Sequence, residues 1–450
     1  MCRLIATIGL FLFSLSGIIA QEQLDFNTIN METYRLYTGQ EWDSLIAMGK
    51  EALKQDIDYY YLRMRLGIAY YTKKNFKKAS IHFNKAIAMN QGDPVAMEYL
   101  YYSNLLSGNK EQAKHVRNRF KGALALKLPP QKGKFMEKIG AEYLYHHSMN
   151  EDLFTIPDQL FTGLPQGVQH ITRNFSNAAI HMASSISPGF SLIQTYTYLS
   201  KHNHFYYNDG TYQLEVSDQH VYQHQYGISP QFTTPSGYTI MPVFHLINVH
   251  FQSPVVLSQG YMGGSSQVGL AYFTENDLVT GMGFRKGICT VDLELGAYYA
   301  TLNNTEQIQN RLGVTWFPTG NLNLYVGMFL NSQYELKEGE GLFRTIPEIL
   351  IGYAIGEKVW LDLKAVMGEM VNYTENNGMI IYNSYGEVID KKVTFSISIP
   401  VSDKGSLLYL GGRWTSNRSE FIPYDPILAQ SNNTITYNTF SIYGGISWKF

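Results

Sequence analysis

Tyr443-Gly444-Gly445-Ile446-Ser447-Trp448-Lys449-Phe450 is the stretch that decides how the rest of the chain is read. In an extended strand, Phe440, Ile442, Ile446, Trp448 and Phe450 share one face, while Ser441, Tyr443, Ser447 and Lys449 share the other. One face suits lipid and the other suits water. An amphipathic edge strand of a soluble sheet has the same local alternation, so the remaining sequence has to separate the two readings.

The period of two recurs from about Gly133 onward. Val393, Phe395, Ile397 and Ile399 alternate with Thr394, Ser396 and Ser398. Leu322, Leu324, Val326, Met328 and Leu330 flank Asn323, Tyr325 and Gly327. Val291, Leu293 and Leu295 alternate with Asp292 and Glu294, and Leu361, Leu363 and Ala365 alternate with Asp362 and Lys364. A sheet with one oily and one wet face is the pattern of a transmembrane barrel. Tight turns are expected at Ser187-Pro188-Gly189, Thr234-Pro235-Ser236-Gly237, Pro318-Thr319-Gly320-Asn321, Gly356-Glu357-Lys358 and Ser402-Asp403-Lys404-Gly405. Longer polar connections are expected at residues 150–169, 335–341, 372–378 and 417–433. The spacing predicts an antiparallel barrel over residues 133–450. It has about 14 strands, with roughly 12 to 16 open because Glu275-Asn276-Asp277 reads either as a turn or as part of one strand. A two-sheet soluble sandwich is the competing architecture.

Composition fits the barrel. The chain holds 34 Tyr, 24 Phe and 39 Gly among 450 residues, with only 16% charged. Tyrosine suits strands that meet lipid at one end and water at the other, and glycine suits curvature and tight turns. A net charge of -2 gives no electrostatic ground for nucleic acid as a partner. Arg3, the apolar run from Leu4 to Leu15 and the small residues up to Ala20 read as a signal peptide over residues 1–20. That run is too short to span a bilayer comfortably. Cys2 would leave with it, so Cys289 would remain without a disulfide partner. No later apolar stretch suffices for a transmembrane helix, and a closed barrel is the other structure that satisfies its backbone in lipid.

The terminal segment resembles the outer-membrane β-barrel family. The last strand of that family carries polar-x-Gly-x-x-hydrophobic-x-aromatic, here Tyr443, Gly445, Trp448 and Phe450. The resemblance implies outer-membrane lipid as the surroundings and recognition by the barrel-insertion machinery.

Residues 25–125 have a helical period. Leu66, Gly67, Tyr70, Ala79, Phe83 and Ala86 sit at the spacing of the tetratricopeptide repeat, which this segment resembles. Gly67 and Ala79 would let two antiparallel helices approach, with Tyr70 and Phe83 filling the gap. Arg63 stands where the repeat prefers tryptophan. A weaker copy follows from Pro94, with Leu100, Gly108 and Ala113 in register, and Leu45, Gly49 and Ala52 suggest a degenerate first copy. Residues 126–132 form a linker containing Pro129-Pro130. It lies within a basic stretch that includes Lys114, Arg117, Lys121, Lys127, Lys134 and Lys138. Those cations read either as a solvated surface or as contacts to anionic headgroups.

Chemistry-bearing motifs are lacking: no phosphate-binding loop, nucleophile elbow or zinc-protease signature is present. Neither a nucleophile with its base nor a cofactor site can be nominated, and the chain reads as a non-enzyme. Of the 12 histidines, His202, His204, His220, His224, His245 and His250 are concentrated in one stretch. His202 and His204 share a strand face without an evident third ligand, so no metal is assigned. The candidate lumen lining is more informative. Gln213, Glu215, Ser217, Gln219, Gln223 and Gln225 are expected on one face of one strand, with Asp292, Glu294, Asp362 and Lys364 on the wet faces of others. The neutral hydrogen-bonding side chains of these faces, Asn323 included, mixed with aromatics such as Tyr325, suit hydroxyl-rich solutes better than strongly charged ones.

The whole reads as an α + β multidomain chain, with a short repeat solenoid followed by the barrel. This architecture resembles the repeat-plus-barrel exporters of secreted polysaccharides and the YaiO-like outer-membrane barrels, although those exporters carry many more repeats. The resemblance implies a pore or envelope-assembly component whose repeat domain lies in the periplasm and binds a protein there. The alternative is a non-conducting anchor with a plugged lumen; a barrel-embedded lipid-modifying enzyme ranks behind both.

Overall fold

The computed structural model describes residues 25–154, 166–257, 267–337, 339–356, 358–384, 386–402, 405–424 and 434–450. The expected signal peptide lies outside them. Contacts divide the chain into two compact units between Ser103 and Asn104.

Seven α-helices come first among the described residues: α1 Phe26–Thr38, α2 Trp42–Lys54, α3 Tyr60–Thr72, α4 Phe76–Met89, α5 Pro94–Leu106, α6 Lys110–Arg117 and α7 Gly122–Lys127. Small residues set how closely they pack. A Cβ on Gly49 of α2 would lie 2.6 Å from Leu66 Cδ2 of α3, and one on Gly67 of α3 would lie 2.6 Å from Phe83 Cε1 of α4. Leu66, Ala79, Phe83 and Ala86 are fully buried. Asn75 caps α4 by accepting from the Lys78 N–H at 3.1 Å.

His82 of α4 stacks on Tyr70 with ring centroids 5.3 Å apart, and Arg63 Nη1 lies 3.3 Å from its Nδ1. Burial, followed by the Arg63 charge, pushes the His82 pKa down to about 4. The neutral ring is therefore the folded form. The stability it contributes is complete above the ordinary histidine value of 6.5 and is lost as pH falls from there toward 4. Hydrogen-exchange protection of the α3–α4 amides is expected to weaken across that window by up to about 3 kcal/mol. His82→Gln should flatten the dependence.

The second unit contains the barrel. Its strands are β1 Lys134–Ser148, β2 Gly167–Ser187, β3 Phe190–Asn208, β4 Gln213–Thr233, β5 Tyr238–Leu257, β6 Gln267–Ile288, β7 Val291–Leu302, β8 Thr305–Trp316, β9 Leu324–Lys337, β10 Glu340–Ile355, β11 Val359–Met370, β14 Glu387–Pro400, β15 Leu407–Ser419 and β17 Ile435–Lys449. The hairpin strands β12 Tyr373–Glu375 and β13 Ile380–Tyr382 form a sheet of their own, and the two-residue β16 Ile422–Pro423 pairs with β2. Fourteen strands follow one another antiparallel and close where β1 pairs with β17, from Lys138↔Lys449 to Ser148↔Thr439. The Phe450 N–H donates to the Glu137 carbonyl at 3.0 Å.

The side chains are inverted relative to a soluble protein. On β17, Ile442 is 65% exposed on the outside, while Ser441 beside it is fully buried inside. Met328, Leu312, Leu246 and Leu410 are likewise more than half exposed around the wall. This outward apolar band is what lipid requires. The lumen packs Thr415, Asn417 and Thr439 against one another instead.

The connections at 187–190, 233–238, 288–291, 316–324, 355–359 and 400–407 all fall at one end. The longest ones, at 148–167, 257–267, 370–387 and 419–435, fall at the other, together with the short ones at 208–213, 302–305 and 337–340, so that the expected longer connection at 335–341 is a tight turn between paired strands. Glu275-Asn276-Asp277 is not a turn. It lies inside β6, where Val249↔Glu275 through Ile247↔Asp277 continue the ladder with β5. Three adjacent polar residues mimic a loop here because Glu275 and Asp277 face inward while Asn276 between them bonds to Asn248 on the outer face.

Candidate functional site

The lumen is divided by a hairpin. Residues 372–378, expected as a longer polar connection, instead belong to a hairpin that folds back inside the wall. Asn376 and Asn377 adopt left-handed φ of 52° and 55° and Gly378 of 78°. This makes a tight tip from residue types that tolerate that region. The tip reaches the wall: His245 Nδ1–H donates to the Gly378 carbonyl at 3.3 Å, and Tyr298 OH donates to Asn377 Oδ1 at 3.0 Å.

Along its length the hairpin uses its backbone as an edge. Gln309 Nε2 donates to the Thr374 carbonyl at 2.6 Å and its Oε1 accepts from the Thr374 N–H at 3.0 Å. Gln333 Nε2 donates to the Val371 carbonyl at 2.8 Å, and Gln307 donates to the Asn372 carbonyl. These amides replace the neighbouring strand that a buried β-edge otherwise needs.

Apolar contacts add to the docking. Ile381 joins Ile247, Val249, Val279, Ala300 and Leu302, and Tyr373 joins Ile346, Val366 and Met370. Charge then pins it. Glu375, 4% exposed, accepts from Lys392 at 2.6 Å and from Tyr382 at 2.8 Å, and pairs with Lys364.

A cavity of about 920 Å³ remains on the other side, between the hairpin and a wall made by β1–β5 with β14, β15 and β17. The wall contributes His146, His170, Lys201, Gln219, Gln223 and Gln225, and the hairpin contributes Asn376, Ile381 and Tyr382. Glu387 ties the loop end together. It accepts from the Thr172 N–H and hydroxyl at 2.6 Å and from Lys201 at 2.5 Å, and pairs with Tyr437.

The expected lining residues are distributed unevenly. Gln219 and Gln223 face the cavity. Gln213 and Glu215 do not share their face. Between Asn203↔Gln219 and Phe205↔Val216, two residues of β4 oppose one of β3. This bulge inverts the parity of everything beyond it. Glu215 instead accepts from His204 Nε2 at 2.8 Å, and Gln213 is exposed beside the strand end. Glu294 accepts from Arg311 Nε at 2.8 Å, and Arg311 also grips Glu348. Asp292 lies opposite Gly287 near the turn end, Asp362 accepts from Tyr325, and Lys364 holds the hairpin.

In the terminal strand, Tyr443 OH donates to the Phe395 carbonyl at 3.3 Å. A Cβ on Gly445 would lie 2.4 Å from the Tyr409 ring. Trp448 and Phe450 are exposed on the outer side.

Sequence reading passed over the hairpin's seat, yet a signal was present. Ile247, Val249, Val279, Ile346 and Val366 are apolar at positions where the alternation points inward. Apolar side chains on a wet face imply something apolar that covers them.

Helix α6 lies against the turn end of the barrel. Lys114, 7% exposed, donates to Glu111 at 2.6 Å, to Glu137 at 2.9 Å and to Ser185 at 2.9 Å. It therefore is not available to headgroups. His115 Nε2–H donates to the Thr233 carbonyl at 2.7 Å, and the Gly189 N–H donates to Glu111 at 3.3 Å. These contacts fit the placing of α6 in the same compact unit as the barrel.

No protein-family model matches the chain, and no curated protein matches it in sequence. Solved structures similar to it include the TodX deltaS2S3 mutant monoaromatic hydrocarbon channel, at 11% identity over 74% of this chain and 95% of that one, with a TM-score of 0.39. A Pseudomonas aeruginosa FadL homologue is 6% identical over 70% of this chain and 90% of that one, with a TM-score of 0.41. The Acinetobacter baumannii outer membrane protein Omp33 is 8% identical over 70% of this chain and all of that one, with a TM-score of 0.33.

Proposed function

We propose that the chain is a pore of the bacterial outer membrane, narrowed by its own hairpin, with a helical repeat domain on the periplasmic side. The observation that carries this reading is the one-sided seating of the hairpin. It is bonded to β5–β11 and β14, while a cavity of about 920 Å³ stays open against β1–β5 with β14, β15 and β17. Amide and hydroxyl groups such as those of Gln219, Gln223, Thr195 and Thr197 line that cavity beside Lys201, Glu387 and apolar side chains such as Val221 and Phe251, a mixture that favours small hydroxyl-bearing solutes with an apolar face. The short turns at one end and longer connections at the other fit a barrel whose N-terminal unit lies in the periplasm. A polysaccharide or other polymer could pass outward only with the hairpin swung aside.

The helical pairs support a tetratricopeptide-like recruiting domain, whose groove would take a helix or an extended peptide of a periplasmic protein. The hairpin also favours a second reading, a closed anchor that holds the helical unit at the membrane.

Planar-bilayer recording of the detergent-purified chain separates the two. The pore reading expects small, steady conductance, and permeation of sugars into proteoliposomes; electrically silent insertion overturns it in favour of the anchor. Deleting residues 25–103 leaves α6 in place. It should abolish pull-down of periplasmic proteins while heat-modifiable migration of the barrel persists, and unchanged pull-downs would remove the recruiting role.

A further inference from the structure

The bulge in β4 has a second effect, on the outer face of the wall. His202 of β3 and His220 of β4 are directly paired, with ring centroids 4.5 Å apart. Asp218, one of the residues at the bulge, turns its carboxylate between them. His202 Nδ1 lies 2.7 Å from its Oδ1 and His220 Nε2 lies 3.3 Å from its Oδ2. Without the extra residue in β4, the position facing His204 would be single and Asp218 would not be held at this height.

From this convergence we infer that His202, Asp218 and His220 form a binding site for a divalent first-row metal ion, of which zinc is the best match. Three ligand atoms, one from each residue, lie within 4.8 Å of one another. A tetrahedral zinc ion bound by imidazole nitrogen and carboxylate oxygen spaces its ligands by about 3.3 Å. Closing the present arrangement therefore takes rotamer adjustments rather than backbone movement. Nitrogen and oxygen donors of this kind suit zinc and its neighbours better than calcium or magnesium, which take oxygen. Three protein ligands leave a position for water.

The chemistry of the trio gives a second reason. Among the described residues, the partners of the Asp218 carboxylate are the two imidazoles, with no lysine or arginine paired to it. A metal ion would supply the missing positive charge. His220 is also oriented from behind, since its Nδ1 lies 3.3 Å from Tyr222 OH. Partners of that kind fix the ring that holds a metal.

Access is open. Asp218 is half exposed and each histidine side chain about 30% exposed. Counting Phe190 as the first residue of β3, His202 is the thirteenth. A tilted strand crosses the hydrocarbon in about 9–11 residues. The site thus stands beyond the apolar band, toward the loop end, and joins two neighbouring strands there.

The test is calorimetric titration of zinc chloride into the full chain, stripped with chelator in detergent, beside His202→Gln, Asp218→Asn and His220→Gln. His204→Gln and the double variant His224→Gln/His250→Gln serve as controls. The His202, Asp218, His220, His224 and His250 side chains are at least partly exposed and His204 is buried, and heat-modifiable migration verifies that each barrel is folded. One tight equivalent is expected for the unaltered chain and for both controls. Each of the three site variants is expected to lose more than about tenfold in affinity. The inference is overturned if the unaltered chain binds no zinc, if the three variants bind as it does, or if the loss follows His224 and His250 instead.

Discussion

Excising residues 373–382 and rejoining the chain through a short glycine-serine turn should raise single-channel conductance severalfold and shift selectivity toward anions. The first effect follows from space. The hairpin occupies the lumen beside β5–β11, where Ile381 and Tyr373 pack into apolar clusters of the wall. The second follows from charge. Glu375 is the carboxylate between Lys364 and Lys392, and Arg413 lies over the Tyr382 ring with 5.9 Å to its centroid. Without the hairpin, these three cations face the water column with one counter-charge fewer. Five apolar lumen positions, Ile247, Val249, Val279, Ile346 and Val366, would also be uncovered. Heat-modifiable migration has to accompany the recordings to show that the barrel still closes. Unchanged conductance in a folded variant would mean that the hairpin does not limit flow.

The second large effect is expected from Glu375→Gln. Lys392 is 1% exposed and bonded to this carboxylate at 2.6 Å, with Lys364 as the other partner. Removing one side of a buried ion pair while leaving the other typically costs about 3–5 kcal/mol. The cost falls on the docked hairpin, because the lysines can regain water once it leaves. The expected record is a channel that flickers between the small native level and the larger level of the excised variant. Adding Lys392→Met to Glu375→Gln should quieten it, since an apolar replacement of similar length removes the stranded charge. If both variants record like the parent, the apolar clusters and the glutamine bonds hold the hairpin without help from charge.

The barrel was legible because its period of two is repeated in every strand and a closed sheet leaves no strand exempt. Turns such as 187–190 and 355–359 were legible for the same reason, each interrupting a clear alternation. The hairpin was not. Asn376-Asn377-Gly378 has the composition of any exposed turn, and composition carries no direction. Its destination was written on other strands, in Ile247 and Val249, as a departure from polarity too sparse to notice without the partner in view. Gln213 and Glu215 were misplaced because the bulge at residues 217–218 leaves no mark in sequence, and a glutamine pattern runs through it unbroken. The contact of α6 with the turns was hidden for a related reason. Lys114 and His115 look like members of a solvated basic run until Glu137, Ser185 and the Thr233 carbonyl are brought beside them.

The irregularity in β4 also bears on how such a wall can change over generations. Loss of one codon at residues 217–218 would remove the bulge and break up the His202–Asp218–His220 grouping, yet leave the Asn203↔Gln219 and Phe205↔Val216 pairings, and with them the facing of Gln213 and Glu215, as they are. A one-residue insertion that a strand absorbs as a bulge likewise preserves the facing of the residues beyond it. A closed sheet can thus gain or lose single residues at bulges with local effects, its inner and outer sets of side chains staying on their own sides elsewhere.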